Sequence, residues 1–124
     1  MRSWAGLCPQ LNESAGKVKS RQLRYGAPWL KTVLVQCAWA ATRSKTNYLH
    51  AQFLRLRARR GPKKAILAVA ASILTAAYYL QRDQVPYRDL GPLYFTRLDQ
   101  DRTAQPLARR IQELGYEVQI RKAA

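Results

Sequence analysis

The chain has few of the residues on which metal sites, disulfide scaffolds and histidine-based catalysis depend. It contains one histidine, His50, and two cysteines, Cys8 and Cys37, which are too far apart to form a Cys-x-x-Cys pair. A structural zinc site takes four nitrogen or sulfur ligands, so this chain alone cannot supply one. No apolar signal core follows the first residues. Both cysteines are therefore expected to be reduced, with Cys37 on a buried helix face.

Acidic residues are also scarce, above all in the first half of the chain. The 124 residues include 22 Lys or Arg and 7 Asp or Glu, a formal net charge of +15. Residues 1–64 hold fourteen of the cations and a single acid, Glu13, whereas residues 65–124 have a net charge of only +2. Such an excess favours a polyanionic partner, nucleic acid before a membrane surface. The first half is where that partner is expected to bind.

The hydrophobic pattern predicts a mainly α fold in one domain, 1–124, with an irregular segment at 1–26 and a helical body at 27–124. Pro9, Gly16 and Gly26 interrupt the first segment, and no periodicity holds there. Apolar spacing then predicts about four helices, near 28–43, 47–60, 63–82 and 103–114, with Asn47 as an N-cap and Gly61 and Gly115 as stops. Alternation predicts a short C-terminal strand at 116–120. The first helix is expected to bury one face, comprising Leu30, Val33, Leu34, Cys37, Ala38 and Ala41.

The third predicted helix is the alanine-rich centre of this arrangement. Its run AILAVAASILTAAYYL carries no charge but is 16 residues long. A helix that spans a bilayer needs about 20 apolar residues. We therefore interpret the run as a buried core helix and expect no membrane partner.

Ser14 is the first candidate for chemistry. It stands before Ala15-Gly16 and a basic run that comprises Lys17, Lys19, Arg21 and Arg24. A serine hydroxyl is a weak nucleophile until a neighbour activates it, and attack on a DNA phosphodiester needs cations near the phosphoryl oxygens. The small pair would let the backbone approach a sugar-phosphate chain closely. The residues alone leave two interpretations open: a nucleophile, or an ordinary turn serine.

A second basic group is predicted to contact phosphates, with a plain solvated face as the alternative. It comprises Arg55, Arg57, Arg59, Arg60, Lys63 and Lys64.

The aromatic residues at helical positions are expected to pack in the core. They are Trp29, Trp39, Tyr48, Tyr78 and Tyr79. Tyr25, between Arg24 and Gly26, is a candidate for stacking on a base.

The acids of the second half are interpreted as helix caps and surface ion pairs rather than as magnesium ligands. They include Asp83, Asp89, Asp99 and Asp101, which stand beside loop breaks and cations. A tyrosine recombinase is disfavoured, because its histidine-rich set of catalytic cations cannot be built around one histidine.

Several blocks of the sequence occur in a recognisable order. They are SWAGLCPQLNESAGK, GAPWLKTVLVQCAWAA, YLHAQFLRLRARRGPKKAILAVAASIL, VPYRDLGPLYF and LGYEVQI. Together they resemble the C-terminal domain of the "one-ten" family of bacterial insertion-sequence transposases, over nearly the whole chain. The block Gly-Leu-x-Pro, followed by Ser-x-Gly-Lys, is the most specific part of the resemblance.

The resemblance implies a role in DNA strand exchange. In that family a RuvC-like domain carries metal-binding carboxylates, and the C-terminal domain contributes a serine that becomes covalently joined to DNA. By position in the motif, that serine is Ser14 here. The RuvC-like half is missing from this sequence, so the chain resembles a truncated copy that is inactive alone. A covalent link between serine and DNA would conserve the phosphodiester energy for rejoining.

The resemblance also implies the partners. It points to DNA, a structured guide RNA, a RuvC-like domain or full-length transposase with its magnesium, and a homo-oligomer when complete. This chain itself is expected to bind no cofactor and to work in the bacterial cytoplasm, associated with the nucleoid. The alternative is a non-catalytic module that binds DNA or guide RNA. Ser14→Ala separates the two, because binding survives the change under both interpretations and covalent attachment only under the first.

Overall fold

The structure, a computed structural model, describes residues 1–10, 12–20, 22–23 and 25–123. The mainly α prediction is confirmed. Within the described residues lie two strands and five helices: β1 (Asn12–Ser14), β2 (Lys17–Ser20), α1 (Pro28–Arg43), α2 (Tyr48–Arg60), α3 (Pro62–Asp83), α4 (Tyr94–Leu98) and α5 (Gln100–Glu113). The chain divides into two compact units, 1–92 and 93–124. That they work as the single domain predicted for 1–124 stays a prediction.

Helices α1, α2 and α3 form the core of the first unit. The alanine-rich α3 packs against both α1 and α2, as expected of a central helix. Small side chains let helix backbones approach closely, and α3 buries Ala65, Ile66, Val69, Ala70 and Ala71. The rest of the core comes from the other two helices and the N-terminal turns, namely Leu34, Ala38, Phe53, Ala5 and Leu7.

Helix α1 buries a different face from the one predicted. Its buried residues are Leu34, Ala38 and Thr42, which follow one another at intervals of four. Val33 and Cys37, predicted to be inside, are exposed. The prediction was wrong for these two because α1 is apolar on more than one face, so spacing alone does not select the face that meets the core.

The connection between α1 and α2 is fixed by Asn47 and His50. The Asn47 Oδ1 atom accepts a hydrogen bond from the His50 backbone N–H at 2.7 Å, which confirms the predicted N-cap. The Asn47 amide also donates to the Ala41 carbonyl at 2.9 Å. The His50 Nδ1 atom lies 2.5 Å from the Thr42 carbonyl oxygen, so it donates to it. The single histidine therefore has a structural partner.

Helix α3 is long and apolar enough to cross a membrane by the measures of length and composition alone. Such measures are met equally by core helices of soluble proteins. In this structure five residues in the first half of α3 are buried against the rest of the first unit. This agrees with the interpretation of α3 as a core helix.

The N-terminal segment is not irregular, contrary to the prediction. Strands β1 and β2 pair antiparallel, and an isolated bridge between Pro9 and Leu23 continues the pairing towards the chain's first turns. The sequence signal was weak, because Ala-Gly is a poorer hairpin dipeptide than Asn-Gly or Asp-Gly.

The second unit contains α4 and α5. Helix α5 covers the predicted fourth helix and ends just before Gly115, which has a φ of +92° and provides the predicted stop. The C-terminal strand prediction was wrong, since residues 116–123 form no strand. Alternation of side chains is insufficient where no neighbouring strand supplies hydrogen bonds.

Candidate functional site

Ser14 lies at the tip of the β1–β2 hairpin. It is the last residue of β1, and its Cα is paired with that of Lys17, the first residue of β2. The two residues between them, Ala15 and Gly16, have φ values of +51° and +74°. Positive φ at both central positions is the signature of a two-residue type I′ turn. The turn therefore presents Ser14 at the end of a ribbon.

The hairpin puts one cation beside the serine. Residues directly opposite on antiparallel strands project to the same face, with Cβ atoms about 5 Å apart. Ser14 and Lys17 are such a pair, and both are exposed. A ligand that meets the Ser14 hydroxyl therefore lies within reach of the flexible Lys17 side chain.

The other cations predicted near Ser14 have different outcomes. Lys19 belongs to β2, at a point where the register shifts by one residue. Arg21 and Arg24 lie outside the described residues. Of the basic run, the structure thus brings Lys17 to the serine by direct pairing.

The second basic group lies at the junction of α2 and α3. The exposed residues are Arg55, Arg57, Arg59 and Arg60 at the end of α2, with Lys63 and Lys64 in the first turn of α3. Only Gly61 and Pro62 separate the two sets. Arg57 also lies over the Phe53 ring, with 5.6 Å between its Cζ and the ring centroid. We call these six residues the basic junction.

No acid of the sequence lies near the basic junction along the chain. From Ser14 to Arg82 the sequence contains no Asp or Glu. Ion pairs do form further on, between Arg82 and Asp83 at 2.7 Å, Arg102 and Asp99 at 3.8 Å, Arg109 and Glu113 at 3.5 Å, and Lys122 and Asp101 at 2.8 Å. The positive field of the first unit is therefore weakly compensated by its own sequence.

The acids Asp83, Asp99 and Asp101 form surface ion pairs, as predicted, whereas Asp99 makes no side-chain cap hydrogen bond at the start of α5. The Asp89 carboxylate accepts hydrogen bonds from the backbone N–H groups of Gly91 at 2.7 Å and Tyr48 at 3.0 Å, and from the Tyr87 hydroxyl at 3.1 Å. Burial raises the pKa of Asp89, but these hydrogen bonds outweigh it and lower the pKa below its ordinary value. Burial, then the bond to Asp89, raises the pKa of Tyr87.

Asp89 joins the start of α2 to the loop that follows α3. Leu49, Ile73 and Leu80, with other residues, line an open apolar cavity of about 330 Å³ beside that loop. Within the described part of the chain, no group of three or more His, Cys, Asp or Glu could hold a metal ion.

The aromatic residues are less buried than predicted. Trp29 is 65% exposed and Trp39 is 44% exposed, although Trp39 meets Phe53 edge to face, with centroids 5.8 Å apart. Tyr78 and Tyr79 are also exposed, and Arg82 lies over the Tyr79 ring at 4.6 Å. Core packing was the wrong expectation for these four, because alanine side chains fill the helix interfaces instead.

With this geometry in hand, comparison with known proteins identifies the N-terminal part of the chain. Residues 1–54 match the family model described as Transposase IS116/IS110/IS902 family. The match covers less than half of the chain, so it shows that the N-terminal part is similar to this family and associates that part with DNA transposition. No curated protein and no solved structure matches the chain.

The matched residues include the whole hairpin and helix α1. They contain Ser14 and Lys17 and end within α2 at residue 54. The basic junction begins at the next residue. The predicted nucleophile thus lies inside the matched region, and the second basic group lies outside it.

Proposed function

We propose that this transposase domain supplies the serine nucleophile for strand exchange in DNA transposition, and that Ser14 is that residue. The support is the position of Ser14 at the exposed tip of a type I′ hairpin, directly opposite Lys17. A tip residue can enter the groove of a nucleic acid without a collision of the protein body.

The proposed reaction is a transesterification. The Ser14 Oγ atom forms a bond to phosphorus, and the bond between phosphorus and one bridging deoxyribose oxygen breaks. The hydroxyl proton passes to a base, and the departing oxygen takes up a proton. Lys17 offsets the negative charge that develops on the non-bridging oxygens. The phosphodiester energy is kept in the serine ester, so rejoining requires no nucleotide cofactor.

We assign the general base that accepts the Ser14 proton, and any metal ion, to a partner protein. A RuvC-like domain with magnesium is implied by the family resemblance, and the described side chains of this chain offer no group of acids suited to that ion. We infer that the chain acts only in a complex with a RuvC-like domain or a full-length transposase, on chromosomal DNA of the bacterial nucleoid.

A second function is favoured by the basic junction. Six exposed cations are enough to hold a nucleic acid without any covalent step. On this alternative the chain is a binding module for DNA or guide RNA, and Ser14 is a turn residue. The two functions differ in one observable, the covalent product.

The deciding experiment is covalent trapping. The chain is mixed with end-labelled DNA of the element terminus, guide RNA, a RuvC-like partner domain and magnesium, and the products are separated under denaturing conditions. We expect a labelled protein–DNA adduct that is absent with Ser14→Ala. Ser20→Ala is the matched control, because Ser20 lies in the same hairpin and only accepts a 3.3 Å hydrogen bond from the Gln22 N–H.

Two results would contradict the catalytic proposal. One is an adduct that persists in Ser14→Ala, which would move the nucleophile elsewhere. The other is the absence of any adduct while salt-sensitive DNA binding remains intact, which would leave the binding module. Equal loss in Ser14→Ala and Ser20→Ala would indicate a damaged hairpin rather than a lost nucleophile.

A further inference from the structure

Two tryptophans stand side by side at the surface of the first unit. Trp4 is 62% exposed and Trp29 is 65% exposed, and their rings meet edge to face, with centroids 6.4 Å apart at an angle of 81°. Tyr25 is fully exposed. Tryptophan is highly buried on average in folded proteins, and contiguous exposed apolar groups mark binding sites. We call Trp4 and Trp29 the indole pair.

The backbone beneath the indole pair is firmly held. The Ala27 N–H donates to the Trp4 carbonyl at 3.0 Å. Gly26 lies so close to the first turns that an added Cβ would be 2.6 Å from the Gly6 Cα, and closer still to the Trp4 oxygen. Trp29 follows Pro28 in the first turn of α1. The two rings are thus carried by segments locked to each other, so little conformational entropy is lost when a ligand stacks on them.

The indole pair lies at the base of the hairpin that carries Ser14. The Pro9–Leu23 bridge and the 2.7 Å hydrogen bond from Gln10 N–H to the Gln22 carbonyl close that base. Ser14 ends β1 at the opposite end of the hairpin, beside the turn. The indole pair therefore lies towards the base of the hairpin and the proposed nucleophile lies at its tip.

The positive charge of the first half of the chain indicates which class of ligand binds to the indole pair. Residues 1–64 carry fourteen cations against one acid. Arg2 lies in the same N-terminal turns as Trp4, with its Nε atom 2.9 Å from the Thr75 hydroxyl. Aromatic faces within a positive field are how proteins bind single strands, because every base has a π face and every linkage has a negative charge.

We propose that the indole pair is a stacking platform for unpaired nucleotides of the nucleic-acid substrate. This inference rests on the proposed function, since it names the form of the substrate that the same hairpin approaches. Trp4 and Trp29 hold bases that have left the duplex, while Ser14, at the tip of the same hairpin, approaches the attacked phosphate. A second copy of this chain is the competing occupant, and the test separates it.

The test uses the full chain and three oligonucleotides of equal length: a single strand, the same strand with abasic sites throughout, and a duplex. Binding is measured at one salt concentration, with tryptophan fluorescence as a second readout. We expect the single strand to quench the fluorescence and the abasic strand, which keeps the phosphates, to leave it unchanged. Trp4→Ala or Trp29→Ala should weaken single-strand binding about ten- to a hundredfold, the usual worth of one stacked base.

Matched variants distinguish a loss of base stacking from other effects of the substitutions. Trp39→Phe is the control, because Trp39 packs on Phe53 away from the indole pair, and it should leave affinity and most of the quenching in place. Trp29→Phe retains an aromatic face and should recover much of the affinity, which separates stacking from a folding defect. Ser14→Ala should quench like the parent chain, so loss of the adduct and loss of stacking are independent results.

Two outcomes would overturn the platform. One is equal affinity of Trp4→Ala, Trp29→Ala and the parent chain for the single strand. The other is self-association of the parent chain, seen by sedimentation, that both alanine variants abolish without any effect on single-strand affinity. The second outcome would make the indole pair a protein–protein contact.

Discussion

Gly26 is the residue at which the first unit is least tolerant of a side chain. The φ of Gly26 is not in the left-handed region, so its requirement is one of space: an added Cβ would meet the backbone of Gly6 and Trp4. Gly26→Ala must push apart the N-terminal turns and the start of α1. We expect a loss of roughly 3 kcal/mol in the free energy of unfolding, the upper end for overpacking. Chemical denaturation followed by circular dichroism measures it.

Gly91→Ala is the matched control for that change. Gly91 has a φ of +80°, but no atom lies within 4 Å of the place where its Cβ would be. Its cost is backbone strain alone, about 1 kcal/mol. A loss at Gly26 no greater than that at Gly91 would mean that the close approach of the two segments is relaxed in solution.

Asp89 is the residue that links stability to pH. Its pKa is lowered in the folded chain by the N–H groups of Gly91 and Tyr48 and by the Tyr87 hydroxyl. A depressed folded pKa gives stability that is complete above the unfolded value, near 4, and that is lost as the pH falls through the folded value. Asp89→Asn should therefore reduce the loss of stability between pH 5 and pH 3, roughly, in urea denaturation.

Solvent exposure of the Asp89 carboxylate limits its contribution to the free energy of unfolding. The side chain is reached by water, so the expected loss for Asp89→Asn at neutral pH is under about 1 kcal/mol. Asp99→Asn is the control, because its carboxylate has a 3.8 Å ion pair with Arg102 as its contact. An acid dependence unchanged by Asp89→Asn would show that other carboxylates govern it.

The hairpin turn is an element whose strain can be relieved. Ala15 has a φ of +51°, a left-handed conformation that costs an alanine about 1 kcal/mol relative to a relaxed backbone. Ala15→Gly should therefore slow hydrogen exchange of the strand amides in β1 and β2, by up to about fivefold if the relief exceeds the entropy cost of the new glycine. Ala40→Gly in the exposed part of α1 should act in the opposite direction, with a loss of about 1 kcal/mol. A loss of stability in Ala15→Gly as large as that in Ala40→Gly would contradict the left-handed conformation of Ala15.

The helices and strands also show which structural features could be predicted from the sequence. Capping and breaking residues are local signals, and Asn47, Gly61 and Gly115 mark helix ends as expected. The face of α1 that meets the core was not predictable, because Val33 and Leu34 are equally apolar and only the approach of α3 distinguishes them. The hairpin was missed because Ala15 takes a conformation that alanine rarely adopts.

At the scale of the whole molecule, the sequence predicted the distribution of charge and the motif around Ser14, but not which residues lie close together. The sequence alone predicted Ser14 as a candidate and the first half as the basic half. It contained no signal that Lys17 would be paired with Ser14, or that Trp4 would meet Trp29, since both depend on chain folding over several residues. Those two contacts place the proposed nucleophile beside a lysine at the hairpin tip and bring two aromatic rings together near its base.

The basic junction predicts how the whole chain responds to salt. If four of its six cations neutralise phosphates, the logarithm of the DNA-binding constant should fall with the logarithm of salt at a slope of about −3.6. The double variant Arg59→Ala, Arg60→Ala should reduce the magnitude of that slope by about 1.8, because two counterion releases are lost. Fluorescence anisotropy titrations at several salt concentrations measure both slopes.

The matched control removes the same charge from the second unit. Arg109 and Arg110 lie on α5, and Arg109 already pairs with Glu113 at 3.5 Å. Arg109→Ala with Arg110→Ala should leave the slope within experimental error of the parent, since neither residue belongs to the basic junction. Equal changes in the two double variants would mean that DNA responds to net charge alone. A change confined to the junction assigns phosphate contact to the end of α2, beyond the residues matched to the transposase family.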